Sequence, residues 1–168
     1  MKKYVFRKYN PKYKNLFSYE KRKLSKILGS SVRIEHVGST AVPGLGGKGI
    51  IDILIGVTNV KEIQKIKNKL KKNNYEFREI ASTPARLFFR KDYRYGGNIR
   101  RVHVHLTRID SNDWKMMISF RDYLRKNYEI AKKYAEIKRE AVKKARGNGE
   151  IYRKIKGMFI EKVLKSLN

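Results

Sequence analysis

An apolar run decides most of what this chain can become: Ile50-Ile51-Asp52-Ile53-Leu54-Ile55-Gly56-Val57, entered through the glycine-rich segment 38–49, GSTAVPGLGGKG. Eight residues so apolar and so rich in β-branched side chains lack the alternation of a half-exposed strand. They read as a strand covered on both faces, at the centre of a sheet. Asp52 breaks the run. An ionised carboxylate among isoleucines is costly unless it is partnered. It either coordinates a metal or is a structural acid held by Lys48 or a backbone donor. Just upstream, a strand over 32–37 ends at Gly38-Ser39, where a bare backbone and a hydroxyl let a phosphate come close.

The other elements follow from periodicity and punctuation. Asn10-Pro11 opens a helix over 12–28, with Leu16, Phe17, Leu24, Ile27 and Leu28 near one face and Gly29 at its end. The segment 38–49 is a loop with one short helical turn. A lysine-rich amphipathic helix spans 60–73, with Ile63, Ile66 and Leu70 inward. Short strands cover 75–80, 86–91 and 101–107, and 92–100 turns between the last two around Gly96-Gly97-Asn98. Ser111 or Asp110 caps a helix over 112–126. Another spans 128–145 with the stripe Ile130, Tyr134, Ile137 and Ala141. After the Gly147-Asn148-Gly149 break, a last helix buries Ile151, Ile155, Phe159, Val163 and Leu167. The result is one α+β domain over 1–168: a mixed β-sheet flanked by helices, with a helical C-terminal third.

Charge and composition restrict function. There are 42 Lys+Arg against 15 Asp+Glu, a formal net charge of +27. The excess is spread along the chain: residues 1–33 hold 11 basic side chains and the single acid Glu20, and residues 61–101 hold 13 basic and 4 acidic. A domain so biased presents positive potential over most of its surface, which suits RNA, DNA or another polyanion, or a phosphate-rich small substrate. Compositional drift towards lysine is the competing explanation. The chain has no cysteine, so disulfides, zinc–thiolate sites and cysteine nucleophiles are excluded. No stretch approaches the ~18 apolar residues of a membrane span. The charged start, MKKYVFR, develops no secretory apolar block, so a cytoplasmic location is expected, without membrane association.

Two further patterns bear on chemistry. In RVHVHL, His103 and His105 face the same way with Arg101 and Thr107, while Val102, Val104 and Leu106 take the other side. Two imidazoles on one face can ligate a metal or serve as base and orienter. The alternative is that one is a hydrogen-bonded core histidine and the other a phosphate donor. Glu35 and His36 point to opposite faces; Glu35 is the reserve carboxylate and His36 a support for the loop. The second pattern is positive charge where helix periodicity wants apolar groups. Arg121 falls on the stripe of Trp114, Met117, Ile118 and Leu124, and needs a carboxylate or phosphate partner. Tyr152 and Lys156 stand four apart on the last helix, with Lys138 a candidate to face them, and Arg86 and Arg90 share one strand face. These make a phosphate pocket if they converge on the loop. Arg121 is otherwise a structural partner of Glu35 or Asp113, and Arg86 and Lys138 are otherwise solvated surface.

The stretch IEHVGSTAVPGL, then a Lys, then IIDI strongly resembles the GrpB family. The resemblance runs nearly full length, through YNPKY, RVHVHL, FRDYLRKN and the closing Tyr152, Lys156, Phe159 and Ile160. It implies the fold of the nucleotidyltransferases. There, a Gly-Ser after the first strand and carboxylates on the next bind divalent metal and align a nucleoside triphosphate with a hydroxyl. On that resemblance Gly38 and Ser39, with Thr40, form the phosphate loop. Asp52, His105 and Glu35 hold Mg²⁺ or Mn²⁺. Asp52, His105 and His103 form the catalytic set, and Lys48, Arg121, Lys156 and Tyr152 contact nucleotide phosphate. The implied activity is nucleotidyl transfer to RNA, protein or a small molecule; the competing function is a non-catalytic nucleotide or nucleic-acid binder. The chain departs from the fuller pattern at Leu54, where a second carboxylate would stand, and in RVHVHL, which has no third. It departs again at Gly49, where the family commonly has Pro.

Overall fold

The computed structural model describes residues 5–167. Five strands form one mixed sheet in the order β1-β2-β5-β4-β3. β1 (Val32–Val37) runs antiparallel to β2 (Ile51–Val57), and β2 runs parallel to β5 (Asn98–Arg108). β4 (Arg86–Tyr95) joins β5 antiparallel and carries the short edge strand β3 (Glu76–Phe77). The apolar run is thus the second strand, paired on both edges, as its composition requires.

Pleating sorts the residues onto two faces. Ile34, Ile51, Ile53, Ile55, Val102 and Val104 turn to one side. They meet α1 (Lys12–Leu28) through Leu16, Leu24 and Leu28, and α2 (Glu62–Lys72) through Ile66 and Leu70. Each such side chain contributes about 1.5–3 kcal/mol on burial. α1 also buries Glu20, which accepts from the Tyr75 hydroxyl and pairs with Lys23. The opposite face carries Val37 and Leu54, covered by Trp114 of α3 (Asn112–Lys126). Ser111 caps α3, its Oγ accepting from the Trp114 amide at 3.1 Å.

α4 (Tyr128–Ala145) and α5 (Gly149–Lys165) pack as an antiparallel pair. Tyr134 near the start of α4 stacks on Phe159 at 5.2 Å, and Ala141 and Ala145 near its end meet Tyr152. The first contact set also holds Val42 and Leu45 of the glycine-rich loop. The helix pair is therefore anchored beside the loop, which places α4 and α5 side chains over the start of β2.

Three expected boundaries shift. The segment 92–100 is not a turn: cross-strand pairing continues to Tyr95 and Asn98, leaving Gly96-Gly97 alone at the bend. Their φ values of +55° and +74° suit a tight hairpin turn. Charged residues of the segment pair across the strands, Arg101 donating twice to Asp92 at 2.7 Å. The strand expected over 75–80 shortens to Glu76–Phe77 and gives way to a 3₁₀ turn at Glu79–Ala81. On α5 the buried stripe is Tyr152, Phe159 and Val163, while Ile151 and Leu167 are exposed. No helix among the described residues is long and apolar enough to cross a membrane.

Candidate functional site

Asp52 lies opposite Val37 on one side and His103 on the other, all on the face that α3 covers only in part. His103 Nδ1 stands 3.2 Å from Asp52 Oδ1, and His105 Nε2 is 4.0 Å from the same oxygen. Burial alone would raise the Asp52 pKa, but the two imidazoles more than offset it and hold the carboxyl well below its usual range. Asp52 is ionised at neutral pH.

His105 is fixed from behind. The Arg86 guanidinium donates to its Nδ1 at 2.7 Å and to Asp113 at 3.2 Å. Arginine has no acceptor and stays protonated, so His105 Nδ1 accepts and Nε2 carries the proton that faces Asp52. Burial, first of several causes, pushes the His105 pKa down, which keeps it neutral. The chain Asp113–Arg86–His105–Asp52 therefore orients the carboxylate from α3 across β4 and β5. Arg86 is neither solvated surface nor a phosphate ligand; it is half-buried and committed.

Gly38 brings the loop against the carboxylate. Its φ is +72° with ψ −170°, a region open essentially to glycine, and a Cβ there would run into Asp52 Oδ2. The next residues form a 3₁₀ turn, Ser39–Ala41. Gly49 also has φ +72°, which the pyrrolidine ring forbids. The departure from the family's Pro therefore comes with a backbone that Pro could not adopt.

Asp52, Ser39, Lys48, His103, Lys138, Tyr152 and Lys156 line one polar cleft of about 80 Å³. Lys48 arrives from the loop, Lys138 from α4, and Lys156 from α5. Lys138 is 1% exposed and donates to the Gly46 carbonyl, with its ammonium 4.6 Å above the Tyr134 ring. Lys48 lies 4.9 Å over the Tyr152 ring. Burial, with repulsion from Lys156 and Lys48, pushes the Lys138 pKa down to about 7 despite Asp52. Burial also lowers Lys48 and Lys156. The cleft holds three lysines against one acid. A larger, mostly apolar cleft of about 470 Å³ involves Val60, Pro84, Leu87 and Leu106; it contains none of these groups.

Of the residues expected from sequence, Gly38, Ser39, Lys48, Asp52, His103, Tyr152 and Lys156 come together here, with His105 behind Asp52. Three do not. Thr40 is buried, and its hydroxyl donates to the Ile50 carbonyl and meets His36 Nε2, each at 3.0 Å. It supports the loop. Glu35 is engaged by Arg33 at 3.0 Å and Arg121 at 2.8 Å; both guanidiniums outweigh burial and lower its pKa. Arg121 is likewise spent on Glu35, on Asp122, and on the His36 carbonyl. It braces α3 against β1. Asp122 pairs with Arg121 and Arg125 of its own helix. His36 stacks on Phe17 at 4.4 Å, and burial pushes it down to about 4.

The sequence left Lys138 open between facing Tyr152 and Lys156 and solvated surface; it lies in the cleft with them, and Arg86 sits behind the cleft on His105. The signal for Lys138 was its place beside Ile137 and four residues after Tyr134, at the border of the apolar stripe. Among the described residues no group of three or more His, Asp or Glu side chains is arranged to hold a metal ion. The trio Asp52, His105 and Glu35 is not assembled, because Glu35 faces its arginines.

The comparisons agree with this architecture. The GrpB protein family model matches residues 4–166. The glutamate-rich protein GrpB of Alkalihalophilus pseudofirmus is 32% identical over 158 residues, 92% of this chain and 90% of that protein. YqkA of Bacillus subtilis is 35% identical over 79% of this chain, which spans only 38% of YqkA. The crystal structure of the conserved protein GrpB from Enterococcus faecalis superposes with a TM-score of 0.72 at 26% identity, covering 95% of this chain and 99% of that one. A cytoplasmic RNA terminal U-transferase superposes with a TM-score of 0.51 at 13% identity, over 79% of this chain and 43% of its own. At that identity the match speaks for a nucleotidyltransferase-like fold alone. From residue 4 to residue 166, the chain belongs to the GrpB protein family.

Proposed function

We propose that the chain binds the phosphate chain of a nucleoside triphosphate in the Lys48–Lys138–Lys156 cleft and moves a nucleotidyl group from it to a hydroxyl acceptor. The observation that carries this reading is the meeting of a Gly-Ser loop, one ionised carboxylate and three lysines from separate segments on a nucleotidyltransferase-like fold. The cleft's ~80 Å³ accommodates a phosphoryl-sized group, so the rest of the nucleotide lies outside its mouth.

A divalent cation fits this donor set in one way. Mg²⁺ keeps several waters and is commonly bound by one or two carboxylates together with substrate phosphates. Asp52 alone meets that requirement for Mg²⁺ or Mn²⁺ that arrives with the triphosphate, and no three-ligand protein cage is needed. The ion's contribution is neutralisation and alignment of the phosphates.

The protein's own groups do the rest. Ser39 Oγ and the loop backbone donate to phosphate oxygens. The lysines offset the charge of the departing pyrophosphate. His105, neutral and locked by Arg86, holds Asp52 in place. His103 donates through Nδ1 to Asp52, which leaves Nε2 to take the proton of the attacking hydroxyl. The hydroxyl oxygen bonds to the α-phosphorus, the bond from that phosphorus to the bridging oxygen breaks, and pyrophosphate leaves.

A second reading, binding without transfer, is favoured by the single carboxylate: Leu54 is fully buried where a second would stand. Label transfer separates the two. Purified protein is given α-labelled nucleoside triphosphates with Mg²⁺ or Mn²⁺ and mixed acceptors, beside Asp52→Asn. Label on an acceptor, lost in the variant, is the expected result. Protection of the protein by triphosphate without transfer under either metal would establish the binder and refute transfer.

A further inference from the structure

The β4–β5 hairpin runs past the end of β2. β2 pairs with β5 only from Val102 onward, whereas β4 and β5 pair with each other out to Tyr95 and Asn98. The projecting arm carries an alternating set on the face it shares with Asp52 and His103: Phe88, Arg90, Asp92 and Arg94 on β4, with Ile99 and Arg101 on β5. Arg94 and Arg101 are exposed, and Ile99 is 63% exposed. On the opposite face Tyr93 is covered, stacking on Tyr19 of α1. So the outward face of the arm is left open and leads straight to the cleft. Between residues 86 and 108 there are seven Lys and Arg and a single acid, Asp92.

Phe88 adds an aromatic surface to that row. It is only partly buried. Its ring meets His103 at 4.9 Å and His105 at 5.1 Å, and it joins none of the apolar clusters among the described residues. An aromatic ring kept out of the core, flanked along one strand face by Arg86 and Arg90, has the composition of a base-stacking platform beside phosphate-binding cations. Successive side chains on such a face stand about 6.8 Å apart, so the row extends over several nucleotides. A duplex would hide its base faces from Phe88; a single strand exposes them.

We propose that this face of the β4–β5 arm binds a single-stranded nucleic acid, with a base on Phe88 and the backbone along Arg90, Arg94 and Arg101. Placing a hydroxyl end of that strand at Asp52 rests on the transferase reading above; binding to the arm does not. Asp92, tied to Arg101, and Glu76 of β3, tied to Arg90, hold back part of the positive field.

The test is fluorescence anisotropy with a labelled single strand of about 12 nucleotides, RNA and DNA separately, against a duplex of the same sequence, without triphosphate or metal. The single strand should bind more tightly than the duplex. Phe88→Leu, which keeps apolar bulk but no ring face, should weaken single-strand binding about five- to hundredfold and leave the duplex unchanged. Arg94→Ala with Arg101→Ala should make the slope of log affinity against log salt shallower by about 1.4. Asp92→Asn should tighten binding. Arg94 and Arg101 are exposed, and unchanged Trp114 fluorescence would establish that each variant is folded. Equal affinity for strand and duplex with Phe88→Leu behaving as wild type would overturn the proposal, as would an unchanged salt slope in the double variant. Failed label transfer leaves this assay intact, and failure here leaves triphosphate binding intact, so the two readings fall separately.

Discussion

Lys138 gives the sharpest test of how the cleft is built. Its pKa falls from the ordinary lysine value of 10.5 to about 7. The unfolded chain therefore binds more protons than the folded one between those values, and the contribution of this residue to stability rises with pH across that window. At 1.36 kcal/mol per unit, a shift of about 3.5 units corresponds to a cost of about 5 kcal/mol well below pH 7, shrinking by about 2 kcal/mol between pH 7 and 9. Lys138→Met keeps the stem's bulk and removes the charge. It also leaves the Gly46 carbonyl without its donor, which costs about 1–3 kcal/mol at every pH. The variant should thus be more stable than wild type by roughly 2–3 kcal/mol near pH 6.5, with the difference vanishing near pH 9. Urea unfolding can follow this through Trp114, the single tryptophan, which is 6% exposed. Taking the difference between the two proteins cancels the titration of Lys48 and Lys156 to first order. Inorganic pyrophosphate should stabilise wild type and not the variant. A difference that is constant between pH 6.5 and 9 would mean that Lys138 stays charged in place, and the reasoning would fail.

Other parts of the site give further expectations. Burial is the main cause of the lowered His105 pKa and Arg86 adds to it, so Arg86→Ala should let the imidazole pKa rise, read by NMR titration of the histidine ring protons; an unchanged value would contradict the Asp113–Arg86–His105 chain. Glu35→Gln should lower stability at pH 7 by about 1–2 kcal/mol in urea titrations, since Arg121 loses an ionic partner beside its two others. Because the Glu35 pKa is depressed on folding, that contribution is present above the unfolded carboxyl value and is lost as pH falls through the folded one. The variant should accordingly converge with wild type in acid. Gly49→Pro restores the residue common in the family yet should destabilise by about 3 kcal/mol or more, because the present φ of +72° is closed to proline. A rise in melting temperature would show that the loop relaxes to another path.

The parts of this molecule legible in sequence are those governed by local patterns. The apolar run announced a doubly paired strand, and the alternation in RVHVHL put both histidines on one face, which the pairing of β2 with β5 makes the face of Asp52. Lys48 and Ser39 were visible because a loop between two strands returns near its start. What stayed hidden depends on pairing across long separations. Arg121 and Glu35, 86 residues apart, were open between phosphate and metal roles and a structural pair, and only the fold selects the pair. The arm at 92–100 looked like a turn because of Gly96-Gly97-Asn98; its hydrogen-bonded ladder and the Asp92–Arg101 pair are properties of two strands together. Lys138 stayed open between a cleft residue and a solvated helix face because periodicity cannot say that α4 lies over a glycine-rich loop.

That last residue also bears on what the net charge means. A chain of +27 can place its cations anywhere in water at little cost, and most of them are exposed. Three are not. Lys48, Lys138 and Lys156 are drawn from three segments into one cleft with a single carboxylate, and burial works against all of them. Compositional drift accounts for surface lysine; it does not account for lysines held where they destabilise the fold. The cleft holds three lysines beside one carboxylate, and the phosphate ligand proposed above rests on that gathering. The same accounting separates the cleft from the arm. On the arm, Arg94 and Arg101 are exposed and screened by salt, so they act by number and spacing along an extended strand. In the cleft the lysines act by desolvation on one point.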